Sequence, residues 1–348
     1  MTTKKEIVPR KGIDPDPRQT DLVNYTASAT LARQLAAAAR SDATIAAYRT
    51  DWSFFCTWTA VHSLTALPAT ATTIAAYVAF LYSIDRKPSS IDRALTSISQ
   101  AHKLAKFKSP TTDPEVRETR SGMRRTAGTA QKKAEPITVE HLERMHEACD
   151  ELNEPIRTRD RAILLLGFTG ALRRAEIAAL DVEHLRSVPE GMIVTIARSK
   201  TDQEGHGREI GIPFTARLCP VHSVADWIAA GKRAGGPLFA RIDKGGTPRG
   251  RLTARSISRL VTNAARRAGY VGKFSAHSLR AGLATSASMK GIPEADIMDH
   301  TGHESIRVFR GYVRRGSLFL SNPVDRLLGI PDAPETRPEI MTRPPQDS

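Results

Sequence analysis

Hydrophobic positions along this chain recur mostly at helical spacing, and one stretch recurs at the period of a strand. Ile45, Tyr48, Trp52 and Phe55 stand three or four apart, with Ser41 ahead of them as an N-cap residue type. TTIAAYVAFLY (72–82) predicts a second helix. Ser89 to Lys106 predicts a third, with Ile91, Leu95, Ile98 and Leu104 inward, and Asp113 to Thr126 a fourth. Short helices joined by short loops make a helical bundle over 41–126. Ahead of it, residues 1–25 are rich in Pro, Lys and Asp and read as disordered, and the Ala-rich 26–40 as weakly helical.

AGTAQKKAEP (127–136) is small, charged and closed by Pro, and marks a linker. Thr138 then caps a helix through Leu142 and Met145. Arg157 to Leu180 holds the apolar run AILLLGFTG and then ALRRAEIAAL. MIVTIA (192–197) alternates and is β-branched, and REIGIPF (208–214) returns after a turn-rich interval, 199–205, so the two predict a hairpin. Helices follow over His222–Ala234 and Thr253–Gly269, the latter with Ile257, Leu260, Val261 and Ala264 inward, on either side of a basic loop, Arg241–Arg251. From Ala276 to Val313 two helices are separated by Gly291-Ile-Pro293, with Pro293 at a first helical position. Ser317–Leu320 and Val324–Ile330 predict a last small helix, and 331–348 a Pro-rich disordered tail. The expected fold is mainly α with a small antiparallel sheet. A helical domain spans 41–126 and a mixed α/β domain 137–330.

Charge narrows the partner. Lys and Arg number 51 against 37 Asp and Glu, a net +14, which points to a polyanion and first to nucleic acid. Arg49, Lys87, Ser90, Arg93, Gln100, His102, Lys103, Arg124 and Arg125 fall on outward positions of the helical domain. They are the candidate DNA-binding residues, Arg93 and Gln100 as base-edge readers. The aromatic residues there fall inward and read as core. Three scattered cysteines fit a reducing compartment, and Cys219-x-x-His222 lacks the second pair a zinc site needs. The longest apolar run, 162–168, is far short of the roughly 20 residues of a membrane span. With no signal-peptide core at the N-terminus, the expected location is the cytoplasm. No repeat, P-loop, Rossmann fingerprint, His-Glu-x-x-His or Gly-x-Ser-x-Gly is present.

The candidate chemistry lies late in the chain. His277 and Arg280 are three apart on one helical face, Gly302-His303 follows a turn, and Tyr312 comes nine residues after His303. Upstream, Arg173 and Glu176 form Arg-x-x-Glu after Thr169-Gly170, and Lys200 sits at the mouth of the predicted hairpin. Each feature alone is an ordinary surface or core feature; the ordered set is not. It resembles the tyrosine recombinases, the phage and plasmid integrase family, in their simple two-domain, Cre-like type. That family's pattern is Arg-x-x-Glu, a β-turn Lys, His-x-x-Arg, Gly-His and a nucleophilic Tyr.

The resemblance covers about residues 41–330. It implies a SAM-like helical core-binding domain and a catalytic domain that clamp DNA from opposite sides. Arg173, Lys200, His277, Arg280, His303 and Tyr312 would be catalytic and Glu176 would support Arg173. It implies site-specific recombination through a 3′-phosphotyrosine without ATP, metal or other cofactor, by four protomers on two duplex sites. The apolar tail around Val324, Leu327, Leu328 and Ile330 would dock on a neighbouring protomer. Two alternatives stand beside it: a type IB topoisomerase-like enzyme that relaxes DNA, and a catalytically silent DNA-binding regulator on the same scaffold. The target sequence, the direction of recombination and any accessory protein are not encoded in these motifs.

Overall fold

The structure, a computed structural model, describes residues 42–127, 134–197, 207–231, 234–307, 309–311 and 327. The expected cap Ser41, the weak helix over 26–40 and, apart from Leu327, the elements expected after Tyr312 lie outside the described residues. The chain divides into two compact units, Met1–Gln131 and Lys132–Ser348.

The first unit holds four helices: α1 (Asp42–Val61), α2 (Ala71–Ser83), α3 (Pro88–Leu104) and α4 (Pro114–Ala127). Thr70 caps α2 by accepting the Thr73 N–H at 3.1 Å, and Pro88 starts α3, where its missing N–H costs nothing. Phe55, Ile74, Tyr77, Val78, Ile91, Leu95, Ile98, Val116 and Met123 form the core. The aromatic residues pack on one another, Phe55 against Tyr77 at 4.9 Å and Trp58 against Tyr77 at 5.1 Å between ring centroids.

Two positions differ from the periodicity. Leu104 is 83% exposed: it is the last residue of α3, where the helical phase has no core left to face. His102, expected outward with the DNA-binding residues, is fully buried. Its Nε2 accepts the Ala69 N–H at 2.9 Å, so Nδ1 carries the proton and donates to the Ile98 carbonyl at 2.9 Å.

The second unit is built round a buried helix. Before it comes α5 (Val139–Glu147), capped reciprocally by Thr138 and His141. In α6 (Ile156–Thr169) every residue from Ala162 to Phe168 is buried, the reason its sequence has no polar face there. A short α7 (Arg174–Ala179) leads to a three-stranded antiparallel sheet of β1 (Leu185–Val188), β2 (Gly191–Ile196) and β3 (Arg208–Pro213) in that order. Val194 pairs with Ile210 and Ile196 with Arg208, and Val194, Ile196, Ile210 and Ile212 are buried.

Next comes α8 (Pro220–Ala230). The stretch expected as a basic loop is in fact a small hairpin, β4 (Ala240–Ile242) with β5 (Pro248–Arg251). Then follow α9 (Ala254–Arg267, capped by Thr253), α10 (Ala276–Met289) and α11 (Glu294–Thr301). Pro293, with an extended ψ of 139°, is the cap of α11 and not its first helical residue.

One close approach fixes α10. The Glu135 N–H donates to the Lys273 carbonyl at 3.0 Å and the Ile137 N–H to the Ser278 carbonyl at 2.9 Å, so this segment lies on the helix. A Cβ on Gly282 would stand 1.7 Å from the Ile137 carbonyl oxygen, which is why a glycine sits mid-helix. Among the described residues, no helix is long and apolar enough to cross a membrane.

Candidate active site

Arg173 is the residue before α7, with extended backbone that turns its side chain back over the first turn of the helix. Glu176 holds it twice. One carboxylate oxygen accepts the Arg173 N–H at 2.8 Å, and the other accepts Nη1 at 2.7 Å. Glu176 is buried while the neighbouring Arg174 is exposed, so Arg173 is the one aimed by a fixed carboxylate.

Arg280 is 1% exposed, on the inward face of α10. Its Nη1 donates to the Ala171 carbonyl at 2.8 Å and its Nη2 to the Gly302 carbonyl at 3.5 Å. Ala171 has a left-handed φ of 47° in the turn between α6 and Arg173. His277 is exposed, one turn before Arg280 on the same helix.

Gly302 ends α11 in the left-handed conformation, with its N–H on the Asp299 carbonyl and the His303 N–H on the Met298 carbonyl. This turn sends His303 inward, with Nδ1 2.6 Å from the Thr301 hydroxyl. Burial first, and then the nearby Arg280, Arg173, His277 and Arg208, push the His303 imidazole down to about 3. Arg173, Arg280 and Arg208 thus concentrate positive charge around the His303 ring, with His277 beside them, an arrangement suited to an anion. Lys200 and Tyr312 lie outside the described residues.

Periodicity and motif spacing passed over three contributors. Arg208 on β3 donates from Nη1 to the His300 carbonyl at 3.0 Å. His300 places its Nε2 2.7 Å from the Thr169 carbonyl oxygen, and Thr301 orients His303. Arg208 did leave a trace: it shares the strand phase of the buried Ile210 and Ile212, where an apolar residue belongs.

In the helical unit Arg49, Lys87, Arg93, Lys103, Arg124 and Arg125 are exposed, and Ser90 and Gln100 are half-buried. Arg93 is engaged by Asp51 through Nε at 2.7 Å and Nη2 at 3.0 Å, and Asp92 takes both Arg120, at 2.5 Å, and Arg124. Their orientation is set by carboxylates on the same unit.

Residues 135–317 match the phage integrase family. An integrase/recombinase XerD homologue of Selenomonas ruminantium is 35% identical over 301 residues, covering 83% of this chain and 86% of that protein. The chain belongs to the phage integrase family. As a tyrosine recombinase it is an enzyme of site-specific recombination. Its fold is shared by solved structures that include the following two. An integrase of the Tn1549 transposon in complex with transposon right end DNA superposes with a TM-score of 0.57, at 16% identity over 82% of this chain and 96% of that one. A lambda integrase tetramer bound to a Holliday junction superposes with a TM-score of 0.56, at 17% identity over 83% and 76%. The recombinase fold is thus mostly helical with small antiparallel sheets, as the periodicity predicts.

Proposed function

We propose that this tyrosine recombinase cuts and rejoins duplex DNA with Tyr312 as nucleophile and Arg173, Lys200, His277, Arg280 and His303 around the scissile phosphate. What supports this reading is the juxtaposition of the glutamate-held Arg173, the buried Arg280 and His303, with both arginines acting on the His303 ring.

A DNA phosphodiester repels nucleophiles through its negative charge. Arg173 and Arg280 offer donors to its non-bridging oxygens and stabilise the charge that builds on them during attack. The Tyr312 oxygen forms a bond to phosphorus as its proton passes to His277, the exposed base on the same helix as Arg280. The bond from phosphorus to the 5′ oxygen breaks, and Lys200 supplies that oxygen with a proton. His303 hydrogen-bonds the phosphate. A 3′-phosphotyrosine and a free 5′-hydroxyl result. Attack by the 5′-hydroxyl of a second strand reverses the step and releases Tyr312, so the number of phosphoester bonds is conserved and the cycle balances without ATP.

Arg49, Lys87, Ser90, Arg93, Gln100, Lys103, Arg124 and Arg125 carry the helical domain's share of DNA binding. Two duplex sites held by four protomers supply the exchanging strands, and the cytoplasm, where the DNA of a phage or plasmid resides, is the place of action.

The test is covalent trapping. Full-length protein is mixed with a library of nicked duplexes and run on a denaturing gel. A slow-migrating adduct that disappears in Tyr312→Phe is expected, and sequencing its DNA gives the site. DNA binding without any adduct would replace this reading with a DNA-binding regulator. Relaxation of supercoils with no recombinant product would replace it with a topoisomerase.

A further inference from the structure

Arg208 stands where the strand pattern asks for an apolar side chain. It opens β3 and shares its phase with Ile210 and Ile212, both buried. A leucine or methionine would fill this space without the desolvation that burial of a guanidinium entails. The arginine is also incompletely satisfied. Nη1 donates to the His300 carbonyl, but Nη2 is buried and has no acceptor among the described residues. A cation kept at such a position acts through its charge and its shape.

Both act on the turn that carries His303. The His300 carbonyl is one of the last of α11, so Arg208 caps the negative end of that helix from the sheet. The guanidinium also fills the space beside Gly302: a Cβ there would stand 2.8 Å from Arg208 Nη1 and 3.1 Å from its central carbon. Glycine at 302 is thus required by the left-handed φ of 63° and by the arginine laid against it.

We infer that Arg208 is a positioning residue for strand transfer, fixing the Gly302–His303 turn so that the His303 ring meets the phosphate between Arg173 and Arg280. The inference rests on the recombinase reading above. In this role Arg208 acts through His303. Among the described residues, the cationic or titratable groups facing that ring are Arg280 and His277 from α10, Arg173 from the start of α7, and Arg208 from β3. Glu176 and Asp299 face Arg208 in turn. Removing Arg208 takes away one cation and frees the turn, so His303 accepts a proton more readily.

Two readouts on the full-length protein separate this from a merely structural role. The first is the NMR titration of the His303 ring in the absence of DNA, assigned by loss of its signal in His303→Gln. In the native protein the ring stays neutral down to the acid limit of folding. In Arg208→Gln the ring begins to protonate at a measurably higher pH, while Arg208→Lys, which keeps the charge, and the surface control Arg186→Gln titrate as the native protein does. The second is the rate of Tyr312 adduct formation at saturating nicked duplex. Arg208→Gln lowers it about 100-fold with DNA affinity within about threefold of native, and Arg208→Lys recovers part of the loss. Combined with His303→Gln, Arg208→Gln adds nothing further, because both act through one ring.

An unmoved His303 titration in Arg208→Gln overturns the inference, as do losses that multiply in the double variant. Should Arg208→Gln fail to fold, Arg208→Lys carries the test: native adduct rates in it, with the planar fork gone, would overturn the positioning role. If the native protein forms no adduct at all, the recombinase reading fails, and the titration still decides whether Arg208 governs His303.

Discussion

Glu176 grips Arg173 at two points, accepting its backbone N–H at 2.8 Å and its Nη1 at 2.7 Å, and is itself only 4% exposed. The carboxylate fixes both the start of α7 and the direction of the guanidinium. Glu176→Ala removes both bonds and leaves Arg173 to swing. The expected result is a loss of about 100-fold in adduct formation and about 1–3 kcal/mol of stability, read by trapping and by denaturant titration. Glu176→Gln retains one acceptor and falls between Ala and native in both measurements.

His303 makes the protein sensitive to acid. Its folded-state value, about 3, lies below the ordinary histidine range, so the unfolded chain takes up a proton first as pH falls. Above about pH 6.5 both states are neutral at this residue and it contributes no pH dependence. Below that, stability falls by at most about 1.4 kcal/mol per pH unit, less where solvent reaches the ring. Denaturant melts at about pH 7.5 and about pH 5.5 are expected to differ less in His303→Gln than in the native protein.

Gly282→Ala is expected to damage the catalytic unit severely. The added methyl meets the Ile137 carbonyl oxygen at 1.7 Å, and the atoms in its way are backbone, so the shift it demands is costly. A loss of about 3 kcal/mol, read as a lowered unfolding midpoint, is expected, with adduct formation falling alongside.

His102 belongs to the core of the helical unit. His102→Leu leaves the Ala69 N–H without its acceptor and is expected to cost about 1–3 kcal/mol while DNA affinity of the folded protein stays unchanged. By contrast, removing an exposed cation such as Lys87 or Arg125 is expected to lower DNA affinity whatever the sequence. It should also reduce the slope of log affinity against log salt by about 0.9 for each phosphate that the cation neutralises.

The helices and the main hairpin were legible because each buries one face, and burial writes a period into the sequence. Phe55, Ile91, Leu95 and Ile98 follow it, as do Ile210 and Ile212. Periodicity failed where a helix outlasts its core, at Leu104, and where a polar ring satisfies itself inside, at His102. In the sequence the candidate site is marked by the order of Arg173, His277, Arg280 and Gly302-His303. The supports are not marked there: the Ala171 carbonyl that holds Arg280 is a matter of backbone path, and Arg208 reaches His300 across 92 residues of chain.

The segment laid across α10 also says where the molecule can be cut. Glu135 and Ile137 are hydrogen-bonded to the Lys273 and Ser278 carbonyls, on or just before the helix that presents His277 and Arg280. A catalytic fragment begun at Thr138 would keep every motif residue yet lose the strap that seats this helix. A fragment begun before Glu135 keeps it. For dissection of this recombinase, the functional boundary falls upstream of the first capped helix, in residues that carry no chemistry.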